Sequence, residues 1–264
     1  MPESSQLVPD PTPEVYDGLQ YAYDFFNKHL FNGELPACLL TLQRKAGTRG
    51  YFSQNRFVRT SGEKTHEIAM NPSYFAALTA MEVLAVLVHE QVHLWQIVKG
   101  KPGRSRYHNQ EWASKMESLG LMPSATGKPG GARTGDYMSH YIVSGGPFQV
   151  HCRNLLAKAE IIVWLDRFPE LLPSEVAPSQ ASDKTAAPLS EKEREALEEA
   201  RREYQEKMER ISRLGIKKKE LPQRDGVRSK YRCPACGTAV WGKPALNVYC
   251  GECSEVPVPM AELI

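Results

Sequence analysis

Val15, Leu19, Ala22, Phe26 and Leu30 recur at intervals of three and four, the spacing of one helical face. They predict a helix from Pro13 to Leu30, with Thr12 as N-cap, Pro13 at the first helical position and Gly33 just past the end. Short apolar runs follow at 37–42, 50–53 and 65–70, separated by Gly, Arg, Lys and Asn clusters, and read as strands of a small sheet packed on that helix. From Thr79 the pattern changes. Thr79 to Glu82 fits a capping box, and apolar residues then occur nearly all round the run to Val98, with Gly100 beyond it. A helix apolar on every side is a buried, central one, so the polar residues on it need partners. Another helix is expected after Asn109, with Trp112, Met116 and Leu119 on one face and Gly120 at the stop.

Between Pro173 and Pro188 the chain is rich in Pro, Ser and Ala without periodicity, the composition of a linker. Ser190 to Glu193 then opens a highly charged helix whose Leu197, Ala200, Tyr204, Met208 and Ile211 form a narrow apolar stripe, suited to docking on a domain or pairing with another helix. Beyond it, Lys217, Lys218, Lys219, Arg224, Arg228, Lys230 and Arg232 stand against Glu220 and Asp225 alone, the most cationic stretch of the chain.

With 264 residues, 41% of them hydrophobic, the chain suffices for one large domain or two small ones. A net charge of +2 does not by itself mark a nucleic-acid binder. No apolar run reaches the roughly 18 residues of a membrane span, and Met1 to Thr12 lack the basic start and apolar centre of a signal peptide. A cytoplasmic protein is expected, nucleoid-associated if bacterial. Of six cysteines, Cys38 and Cys152 read as small buried hydrophobes, while the other four form two Cys-x-x-Cys pairs that favour metal over disulfides in a reducing compartment.

His89-Glu90-Gln91-Val92-His93 lies within the buried helix. Its i,i+4 spacing puts both imidazoles on one face, where they can hold one zinc ion. Glu90, one step round the helix, can take a proton from a water that the metal acidifies and pass it to a leaving amine. A catalytic zinc ordinarily takes three protein ligands and keeps one position open. His108 is the leading candidate for the third, since it lies fifteen residues on, past a turn-forming Lys-Pro-Gly-Arg, at the start of the next helix. Glu111 is the alternative. His29 and His66 lack ligand spacing to a partner and read as packing or surface residues.

Phe25 to Pro36, Gly50-Tyr51-Phe52, Met70-Asn71-Pro72, the His89 to His93 motif and His108, in that order, resemble the SprT-like metalloprotease domain, across about Tyr16 to Asp166. The resemblance implies an α+β, zincin-like protease with helices on a small sheet. It makes His89, His93 and His108 the zinc ligands and Glu90 the catalytic acid/base. Relatives of the Spartan branch cleave proteins covalently trapped on DNA. The Gly-rich segment from Gly130 to Pro147 resembles versions in bacterial and mobile-element relatives, and its Tyr137, His140 and Tyr141 are candidates to donate a hydrogen bond to an oxyanion. A structural loop with packed aromatics is the other reading.

Cys233-Pro-Ala-Cys236 and Cys250-Gly-Glu-Cys253 have the layout of a zinc ribbon, a closed structural site with four protein ligands. Two zinc ions per chain are therefore expected, one catalytic and one structural. The basic run, with Lys217, Lys218, Lys219, Arg228, Lys230 and Arg232, offers phosphate contacts, and Tyr231, Trp241 and Tyr249 offer stacking surfaces for unpaired bases, so the expected partners are a protein substrate and DNA, with single strands suited to stacking. The rival readings are a DNA-associated protein that keeps zinc for shape alone, and a metal-dependent hydrolase indifferent to DNA. The expected divisions are a tail at 1–12, the protease domain at 13–168, a linker at 169–189, a charged helix at 190–215, a basic linker at 216–230 and the ribbon at 231–256.

Overall fold

Helix α1 (Pro11–Leu30) buries Leu19, Ala22, Tyr23, Phe26 and Leu30, the face the periodicity predicts. It begins earlier than expected, with Asp10 rather than Thr12 at the N-cap, because Pro11 is already compatible with a first turn whose N–H groups go unused. Past its end Asn32 and Gly33 take positive φ of 55° and 73°, turning the chain back. The Asn27 side chain locks that turn, donating to Leu35 O and accepting from Leu35 N, each at 3.0 Å.

The computed structural model describes residues 10–104, 107–169, 191–217, 229–253 and 256–263. The chain divides into two units, Met1–Lys218 and Lys219–Ile264. In the first, β1 (Leu39–Leu42), β2 (Gly50–Val58) and β3 (Lys64–Met70) form a sheet of order β1-β3-β2. The central β3 runs parallel to β1 and antiparallel to β2. Asn71 closes the sheet's end: its amide donates to Lys45 O and Thr48 O at 2.8 Å, and its oxygen accepts from Ser73 N.

Helix α2 (Ala80–Lys99) starts with the predicted capping box, the Thr79 hydroxyl accepting from Glu82 N at 3.2 Å and the Glu82 carboxylate from Thr79 N at 2.6 Å. Every residue from Val83 to Val92 is buried. The helix contacts β2 and β3, and also α1, α3 (Gln110–Ser118) and α4 (Pro147–Leu156). A hairpin of β4 (Leu121–Ser124) and β5 (Ser139–Ile142) joins α3 to α4. Neither the hairpin nor α4 was anticipated, because β4 contains Pro123 and α4 is only ten residues long. Cys152 is buried on α4 as expected, and Cys38 is half-buried against the core.

Helix α5 (Glu191–Arg213) belongs to the first unit. Ile211 and Ile216 pack on Ala76 with Leu165 and Met208 around them, so the C-terminal end of the charged helix docks on its own domain. The proline-rich stretch expected as a linker lies outside the described residues, as does most of the basic run. In the second unit, β6 (Ser229–Arg232) is central to a sheet of order β10-β6-β7, with β7 at Ala239–Gly242 and β10 at Ala261–Leu263, reaching past residue 256. Strands β8 (Tyr249–Cys250) and β9 (Val258–Pro259) form a second, short pair. Among the described residues no helix is long and apolar enough to cross a membrane.

Gly50 sets the spacing between β2 and α2. A Cβ there would stand 2.9 Å from Val86 Cγ1 and 3.0 Å from the Ala69 carbonyl oxygen. Gly50→Ala is therefore expected to destabilise the first unit by about 1–3 kcal/mol, as overpacking does, and a thermal or urea unfolding curve indistinguishable from wild type would contradict this account of the β2–α2 contact.

Candidate functional site

His89 and His93 point from one face of α2, and His108 meets them from the residue before the α3 N-cap. One ring nitrogen from each of the three lies within 4.8 Å of the others. His93 Nε2 and His108 Nε2 are 3.1 Å apart. Metal–nitrogen bonds of about 2.0–2.1 Å in a tetrahedron place neighbouring nitrogens roughly 3.3 Å apart, so the His93–His108 separation matches that of two ligands on a zinc-class ion. Burial drives His89 and His93 toward the neutral, ligating form. The His89 pKa falls well below its usual value, through burial and then the neighbouring histidines, and that of His93 falls to about 3, through burial and then His108.

His108 is fixed from several sides. Its backbone forms a bridge with Gly135, donating to Gly135 O at 2.9 Å and accepting from Gly135 N at 3.2 Å. Its Nδ1 lies 3.1 Å from the same carbonyl, which can only accept, so the ring proton sits on Nδ1 and the lone pair on Nε2, the nitrogen that faces His93. Asn109 caps α3 by accepting from Trp112 N at 3.0 Å. Trp112, fully buried, floors the cluster with ring centroids 4.9, 5.6 and 4.4 Å from His89, His93 and His108. The sequence shows Trp112 as a core residue of a helix face; its second role has one signal, a position one helical turn past His108.

Glu111 is turned away from the histidine cluster. Its carboxylate accepts from Lys101 N at 2.7 Å and Gln96 Nε2 at 2.9 Å, latching the loop after α2, and it lies outside the ligand cluster. Glu90 is 5% exposed. Burial raises its pKa to about 8, against the opposing effect of a hydrogen bond from the Phe52 backbone. In the Gly-rich segment, His140 Nδ1 comes within 3.2 Å of His89 Nδ1, Tyr141 is half-buried and Tyr137 is 77% exposed. His66 Nδ1 accepts from Asn55 N, and His29 stacks between Phe25 and His151, both away from the cluster.

The four cysteines of the second unit also converge, all within 4.8 Å. Cys233–Cys253 and Cys236–Cys250 sulfurs are 3.6 Å apart and Cys253–Cys250 sulfurs 3.9 Å. A disulfide needs about 2.05 Å, whereas a tetrahedron of metal–sulfur bonds near 2.3 Å needs about 3.8 Å. Thr238 shares a hydrogen bond with Cys236, whose thiol is held down to about 6. One expectation fails here. Tyr231 is buried, its hydroxyl donating to Lys243 O and accepting from Leu246 N, because the small sheet needs a core; it is no stacking surface. Trp241 and Tyr249 are exposed at 63% and 58%, and the Lys230 ammonium lies 5.8 Å from the Trp241 ring centre. Lys217 and Arg232 are exposed, while Lys218, Lys219 and Arg228 lie outside the described residues.

The SprT-like family model matches residues 19–129, a range that takes in His89, Glu90, His93, His108 and Trp112. A Salmonella typhimurium protein, described as an uncharacterized protein in the mucB 3′ region, is 63% identical over 59 residues, 22% of this chain and 80% of that relative. The chain belongs to the SprT-like family. No solved structure matches it. The SprT-like match ends before Gly135 and His140, so part of what surrounds the histidines comes from outside the matched region.

Only Tyr231, Cys233 and Cys250 are buried among the described side chains of the second unit. A core that small needs further support to fold, and a metal at the four thiols would supply it. A strong chelator is expected to abolish hydrogen-exchange protection across Ser229–Arg232 and Ala239–Gly242 while the β2–β3 ladder stays protected; protection that survives complete metal removal would refute a structural metal at the four thiols.

Proposed function

We propose that this SprT-like chain is a zinc-dependent endopeptidase, recruited to DNA and acting on DNA-bound or DNA-crosslinked proteins. The observation that carries the peptidase reading is a buried carboxylate, Glu90, next to His89 on the same helix that supplies two of three converging imidazoles. A zinc ion held by His89, His93 and His108 would supply Lewis acidity, making a water more acidic and a carbonyl more electrophilic. The chain's own residues do the rest. The Glu90 carboxyl, buried beside His89, is placed to accept a proton from water and return it to the leaving amine. The Phe52 amide holds the Glu90 carboxylate in place, and Gly50 lets β2 approach α2 closely enough for that contact. As an outer strand of its sheet, β2 is an edge along which an extended polypeptide can align.

Recruitment rests on other features. Exposed Trp241 and Tyr249 offer flat faces for bases, and Lys230 and Arg232 lie on the strand paired with that of Trp241. Lys217 and the sequence after it add cationic charge for phosphates.

Cleavage of a protein crosslinked to DNA, measured for wild type and Glu90→Gln with and without single-stranded DNA, tests the reading. Glu90→Gln should retain both metals and lose about 10²–10⁴-fold in rate. Unchanged cleavage would discard Glu90 as the base. Cleavage indifferent to DNA would keep the peptidase and remove the recruitment, and no cleavage by the metal-loaded wild type would favour a non-proteolytic zinc protein.

A further inference from the structure

We propose that His140 is a positioning residue of the three-histidine centre, accepting the His89 Nδ1–H on its own Nδ1, and that with Gly135 it makes the Gly-rich segment the outer shell of that centre. The inference rests on the metal-binding reading above.

The two Nδ1 atoms are 3.2 Å apart. Such a contact holds one hydrogen, so one ring donates and the other accepts. If His89 binds metal through Nε2, its only proton is on Nδ1; His89 is then the donor and His140 the acceptor, with the His140 proton on Nε2. His140 is not itself a fourth ligand, because it is absent from the set of nitrogens that lie within 4.8 Å of one another. His108 has the equivalent arrangement, its Nδ1 facing the Gly135 carbonyl at 3.1 Å. One short stretch of chain thus engages the far nitrogens of two of the three ligands.

That stretch is anchored for the task. His140 lies on β5 opposite Pro123 of β4, and Gly135 is bridged to His108 through both backbone hydrogen bonds. Both residues follow the end of the family match at 129. A hydrogen-bond acceptor behind a ligating imidazole fixes its tautomer and ring plane and raises its basicity, and losing one typically weakens metal binding by about 10–100-fold.

The test uses the full chain, with zinc affinity read by competition against a chromophoric chelator and the four-thiol site as internal reference. His140→Phe keeps a ring but removes the acceptor, whereas His140→Asn returns an acceptor oxygen near the position of Nδ1. The expected result is two zinc ions in wild type, a loss of about 10–100-fold at the histidine site alone in His140→Phe, and recovery to within a few-fold in His140→Asn. Ring ¹⁵N NMR of wild type should show His89 protonated on Nδ1 and His140 on Nε2. Wild-type zinc affinity in His140→Phe with slowed cleavage would overturn the inference and place His140 at the oxyanion instead. Equal weakening in both variants, or the opposite tautomers, would also overturn it. A wild type that binds zinc only at the thiols would fail the metal-centre reading itself, a result distinct from failure of the His140 role.

Discussion

The structure is organised by the burial of α2. Charged groups are not tolerated along ten consecutive buried residues unless each is neutral or partnered. Three of the ten are polar, and each has a different answer. His89 stays neutral and faces His140; Glu90 is pushed toward its protonated form and accepts from Phe52; Gln91 donates its amide to Tyr23 O at 3.0 Å, tying α2 to α1. The sheet, α1, α3 and α4 enclose a helix whose apolar residues make the burial favourable and whose polar residues make it useful.

Local geometry around α3 shows how little chain is needed to place a third ligand. His108, Asn109, Glu111 and Trp112 perform four separate jobs within five positions: completing the histidine cluster, capping, latching the preceding loop and flooring the cluster. Gln96 joins these jobs from the α2 side, donating to Asn109 Oδ1 at 2.7 Å and to Glu111 Oε2 at 2.9 Å. Holding His108 just before a capped helix limits the freedom of the imidazole that completes the cluster.

Much of this was legible in the sequence because it depends on neighbours along the chain. The capping box at Thr79, the all-round apolar pattern of α2, the i,i+4 histidines and the paired cysteine knuckles are local, and each is found where its spacing predicts. What depends on contact across the fold was not. Spacing favours His108 but leaves Glu111 open as the alternative; only the path of the loop after α2 turns the carboxylate toward Lys101 N and leaves the imidazole facing His93. Tyr231 reads as a stacking aromatic until the strands close over it. The β4–β5 hairpin has weak local signals, since it is held by packing and by the His108–Gly135 bridge rather than by propensity.

Helix α5 illustrates how magnitudes separate anchoring from decoration. Lys207 reaches Glu82 at 3.7 Å, the same carboxylate that closes the α2 capping box. With the Glu82 side chain 45% exposed, such an ion pair contributes little, at most about 1 kcal/mol. Ile211 and Ile216, both nearly fully buried against Ala76, remove apolar surface from water at about 1.5–3 kcal/mol each, less what the unfolded chain already shields. The apolar end therefore holds α5, and the backbone bond from Lys217 N to Arg167 O extends the attachment to the edge of the basic run. The anchor lies on Ala76, beside the cap of α2, so the C-terminal end of α5 is fixed to the unit that holds the histidines.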